Sequence, residues 1–145
     1  MFPDLDAPRE TLAKSVDEHL RELVDADIER HENTWSWSTS AGPIFATLGS
    51  MADDPDGPEL TLELVRPIRT LDHGGEIFSQ DAVAALRAAS ELLHTRICIG
   101  PHPDLGGQRA LLLRATLYLA DLQREEFETA VEELIRFSGI PSPDA

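Results

Sequence analysis

The sequence predicts an α+β domain, with helices packed against one antiparallel sheet, and three observations carry that prediction. Runs that alternate apolar and polar residues mark strands, apolar residues spaced three and four apart mark helices, and the runs follow the order α-β-β-β-α-β-β-α. The chain has 145 residues, of which 41% are hydrophobic and 27% charged, the balance of a folded protein large enough for one core. Residues 1–140 are read as one domain and residues 141–145 as a disordered tail.

Asp6 and Pro8 open the first helix, and Leu12, Val16, Leu20, Leu23 and Ile28 form its apolar stripe. Glu18, Glu22, Asp25, Glu29 and Glu32 step by three or four along its outer face and make an acidic ridge. The runs TWSWS and PIFATLG are antiparallel strands, because TSAGP between them holds the glycine and proline of a tight connection. MADDPDGP is a loop dense in turn residues. ELTLELVRPIR then alternates, with Leu60, Leu62, Leu64 and Ile68 on one face and Glu59, Thr61 and Glu63 on the other. Pro67 places this strand near an edge or at a strand end.

Ser79 caps a second helix over SQDAVAALRAASELLH, whose alanines admit a close neighbour. RICIG is a short strand in which Cys98, the single cysteine, reads as a buried inert thiol. After the turn-rich PHPDLGG comes RALLLRATLYLADL, a strand with Leu111, Leu113, Ala115, Leu117 and Leu119 on one face. Asp121 caps the last helix, where Phe127, Val131, Leu134 and Ile135 face inward and Gly139 and Pro141 end the run.

Charge bounds the partners. With 12 basic and 27 acidic side chains the net charge is −15, which repels phosphate backbones and anionic lipid and favours a basic protein. Neither direct nucleic-acid binding nor a membrane role is expected. The N-terminal MFPDLDAPRE has no basic n-region or apolar stretch, and no later run approaches a membrane span, so the cytoplasm is the expected compartment.

No pairing of nucleophile and base stands out, so enzymatic activity is not expected. In LDHGGE, Asp72, His73 and Glu76 could ligate a metal or move a proton, but one histidine at that spacing matches no closed tetrahedral site, and a solvated glycine turn explains it as well. His19 reads as a core-edge residue of the first helix, and His94 suits the negative end of the second. GPHPDLGG lacks the lysine and glycine spacing of a phosphate loop. No cofactor is expected.

Trp35 and Trp37, two positions apart, point to the same side of their strand. Either both pack beneath the first or last helix, or at least one lines an exposed apolar strip beside Ile44 or Leu62 that takes a client segment. In the second reading Glu18, Glu22, Asp25 and Glu29 supply the charge. The second helix is apolar on more than one face, through Val83, Leu86, Leu92 and Leu93 with slim positions such as Ala89, and this predicts a homodimer about a twofold axis. The interface is expected at Val83, Leu86, Ala89 and Leu93.

The element order and the closing LGGQRALLLRATLYLADLQREEFETAVEELIRF resemble the YbjN-like proteins and, more distantly, the type III secretion chaperones of bacteria. Leu111 to Leu119, Leu122 and Glu125 to Phe127 occupy the places of that group's closing strand and acid-opened helix, while PHPDLGG is a longer turn than the hairpin expected there. The resemblance implies a secretion-chaperone-like fold and a small acidic homodimer that binds a client protein without catalysis. An acidic regulator docking on the basic surface of a DNA-binding protein, of the repair or single-strand-binding kind, is the alternative. A small metal site or enzyme centred on His73 is the third reading.

Overall fold

The structure is a computed structural model that describes residues 9–49, 61–71, 83, 87, 89, 92–106 and 108–137. Helix α1 (Arg9–Leu23) leads into β1 (Glu29–His31), β2 (Thr34–Thr39) and β3 (Gly42–Gly49). Then come β4 (Thr61–Thr70), β5 (Arg96–Pro101), β6 (Arg109–Tyr118), a 3-10 turn at Leu119–Asp121 and helix α2 (Arg124–Arg136). Among the described residues the sheet has six strands, all antiparallel, in the order β1-β2-β3-β4-β6-β5. The predicted α+β class, a sheet with helices against it, is what forms.

Alternation sorts the sheet into two faces. Trp35 pairs in register with Ala46, Ala46 with Leu64, and Leu64 with Ala115, so these side chains share the helix-covered face. Leu12, Val16 and Leu20 of α1 and Phe127, Ala130 and Leu134 of α2 close over them in one buried cluster. On the other face Val65, Ala110 and Leu112 form a second, smaller cluster. Beside it Arg114 and Glu63 make a 3.5 Å ion pair.

Several expectations are corrected. The first helix ends at Leu23 rather than reaching Glu32: aspartates at 25 and 27 favour a helix end, and Ile28 enters the core from the connection instead. Glu29 to His31 form an exposed edge strand, and the turn beyond it holds Glu32 in the left-handed region at φ 56°. β4 is an interior strand, yet Pro67 lies past Val65, where the β3 ladder ends, so no β3 partner needs its missing N–H. The residue before α2 is Gln123, and Asp121 belongs to the 3-10 turn. His94 follows the helical positions instead of closing them, and Cys98 is half-buried against the smaller cluster. Of the alanine-rich segment, Val83, Arg87 and Ala89 are described and helical; Leu86, the Ser79 cap and the Asp6–Pro8 helix start lie outside the described residues.

Candidate functional site

The expected strip of Trp35, Trp37, Ile44 and Leu62 is not at the surface. All four are buried, because α1 and α2 cover their face of the sheet. Trp35 is also fully used as a structural group. Its indole N–H donates to Asp17 Oδ1 at 3.0 Å, and the Arg30 guanidinium lies 5.4 Å from the ring centroid. Asp17 also accepts from Arg21 Nε at 3.1 Å. Burial alone would raise the Asp17 pKa, but the hydrogen bonds from Arg21 and Trp35 outweigh it and hold the carboxyl below its ordinary range.

Trp37 has a second role, since it floors a groove of about 540 Å³ between the end of α1, the β2–β3 turn and α2. Leu23 and Val24 form one wall, Phe127, Val131 and Ile135 the other, and Trp37 to Ser40 the floor and one end. These positions follow from the helix stripes: Val131 and Ile135, four apart, sit at the margin of the stripe that Phe127 and Leu134 bury. They meet the core on one side and open space on the other. The rim carries Asp25, Glu128 and Glu132, with Arg136 at 3.5 Å from Glu132. The β2–β3 turn is fixed by Thr39, whose hydroxyl donates to the Gly42 carbonyl at 2.7 Å and accepts from the Ala41 N–H at 3.1 Å.

Behind the groove, α2 is fastened by two buried charged side chains. The Glu133 carboxylate accepts from the backbone N–H groups of Leu93, His94 and Thr95 at 3.0–3.2 Å and from the Thr95 hydroxyl at 2.5 Å. Burial would raise its pKa, but the Thr95 hydroxyl and the three N–H groups prevail and hold it below the usual glutamate range. Arg66, on the helix-covered face of β4, donates through Nη1 to the carbonyls of Leu134 and Phe137, the latter at 3.0 Å. It thereby caps orphan acceptors at the helix end, although burial lowers its own pKa. Both residues have structural positions that sequence reading missed, though Arg66 showed a signal: a cation in a slot of the apolar alternation.

Of the expected partner-contacting acids, Asp25 lines the groove, Glu29 lines a neighbouring hollow, and Glu18 and Glu22 are exposed on α1. Of the expected dimer residues, Val83 is 48% exposed, Leu93 is 85% exposed and Ala89 is also exposed. His19 is half-buried, its Nδ1 2.7 Å from the Ser15 carbonyl, which fits a core-edge histidine. Asp72, His73 and Glu76 lie outside the described residues. Among the described residues no group of three or more His, Cys, Asp or Glu side chains is placed to hold a metal ion, and no helix is long and apolar enough to cross a membrane. Comparison with protein-family models, curated proteins and solved structures returned no match, so the functional reading rests on this geometry.

Proposed function

We propose that this chain is a non-enzymatic, homodimeric, chaperone-like adaptor of the cytoplasm, of the YbjN-like kind, that holds a segment of a partner protein. The observation that carries the reading is the groove, with six apolar side chains (Leu23, Val24, Trp37, Phe127, Val131 and Ile135) within an acidic rim. Apolar walls left open at the surface suit a partner's side chains, and a wall fastened from behind limits the ordering that binding requires. A photo-crosslinking residue at exposed Ser40 tests it: adducts from the native extract are expected, and Val131→Ser with Ile135→Asn is expected to abolish them. Adducts unchanged in that variant would count against the groove. For the dimer, Leu93→Arg is expected to give monomers in light scattering, and a wild type that is already monomeric would remove that element.

A second reading is favoured by the exposed acids Glu18 and Glu22 and the net charge of −15: an acidic regulator docking on a basic, nucleic-acid-binding protein. Charge docking weakens steeply with salt, whereas apolar capture does not. Partner retention in high salt therefore separates the two.

A further inference from the structure

The groove has a neighbour of opposite character. A second hollow, lined by Phe45 and Ser36 together with Asp27, Glu29 and Asp104, shares Ala26, Trp37 and Ser38 with the groove. Among the described residues lining it there are three carboxylates and no lysine or arginine. An apolar hollow and an acidic hollow thus meet across one short stretch of β2. Ser36 and Phe45 belong to the sheet face away from the helices, so a segment seated in the first can reach the second by running past Ala26 and Ser38 and round β2.

Resting on the adaptor reading above, we propose that the occupant is a peptide segment of a different protein that joins a short apolar run directly to a cluster of lysines or arginines. The apolar run seats against Trp37, Val131 and Ile135, and the cations seat against Asp27, Glu29 and Asp104. Two features select this occupant. An acidic or purely apolar segment would leave the carboxylate-lined hollow unmatched, while a protein of net charge −15 draws cations toward it. A second copy of this chain is a poor candidate, because none of its 12 basic residues is adjacent to another in sequence. Single exposed ion pairs contribute little, so the cations act as a group and set specificity more than affinity.

The test uses the whole protein and a fluorescein-labelled synthetic peptide of four apolar residues followed by four lysines. Anisotropy is expected to report saturable binding that added salt weakens but, because the apolar run stays seated, does not abolish, and that is lost when the lysines are replaced by glutamates. Asp27→Asn with Glu29→Gln and Asp104→Asn is expected to weaken it by about tenfold. The same charge change elsewhere, Glu10→Gln with Glu125→Gln and Glu126→Gln, is expected to leave it unaltered. Equal losses in the two triple variants would overturn the inference, since bulk charge would then explain the binding. If the glutamate peptide binds as well as the lysine peptide, and both are lost in Val131→Ser with Ile135→Asn, the groove stands and the basic occupant fails. If that groove variant binds the lysine peptide like wild type, the adaptor reading fails with it.

Discussion

The two flanks of α2 differ in how the rest of the chain treats them. One flank, with Glu133 and Leu134, is buried, bonded to three backbone N–H groups and closed at its end by Arg66. The other, one residue further round at Val131 and Ile135, is half-covered and faces the groove. Residues adjacent in sequence therefore have separable duties. One set fixes the helix, and the other, which packs on the core along one side only, contributes less to holding it.

Alanine substitutions at neighbouring positions test that separation most strongly. Leu134→Ala is expected to cost about 2–5 kcal/mol in denaturant unfolding, because it empties a fully buried site. Ile135→Ala should cost clearly less. Equal losses would show that the groove flank is as much part of the core as the other.

A smaller effect, about 1–3 kcal/mol, is expected for Glu133→Gln, which cannot accept four charge-assisted bonds equally well. The pH dependence gives it a signature. Because the folded state holds the Glu133 pKa down, its stabilisation is present above the unfolded glutamate value and is lost as pH falls through the folded value. Wild type is thus expected to lose stability in acid by more than Glu133→Gln does. Matching acid limbs in the two proteins would contradict that account.

Between β2 and α1, Trp35→Phe removes the N–H from which Asp17 accepts, leaving that carboxylate with Arg21. A loss of about 1 kcal/mol is expected from thermal unfolding. The smallest change in stability is expected for Val131→Ser with Ile135→Asn, within about 1 kcal/mol, while partner capture is lost. If this variant unfolds much more readily than wild type, the open flank is structural after all.

The strands and helix stripes were legible because each repeats a period: Leu62 and Leu64 on β4, Leu113, Ala115 and Leu117 on β6, and Phe127 and Leu134 on α2 all face the core. β1 was not legible, since its three residues are all exposed and carry no alternation. The groove was half legible. Trp37 and Asp25 could be singled out, but a tryptophan that packs in a core and floors a groove at once has no distinct pattern. Nor does Glu133, which sits among Glu125, Glu126, Glu128 and Glu132 and differs from them only in what lies opposite, 38 to 40 residues away in sequence.

Those separations also bear on the order of folding. The Arg66 cap joins residues 68 apart, so it can close only after β4 has found its place and α2 has come to rest upon the sheet. Docking of that helix end is expected to fall after the rate-limiting barrier, so Arg66→Met should speed unfolding and leave refolding nearly unchanged in stopped-flow measurements. A slowed refolding limb would instead put the clasp in the nucleus. On this view the groove is the last feature to be completed as the chain folds and the first to be lost as it opens.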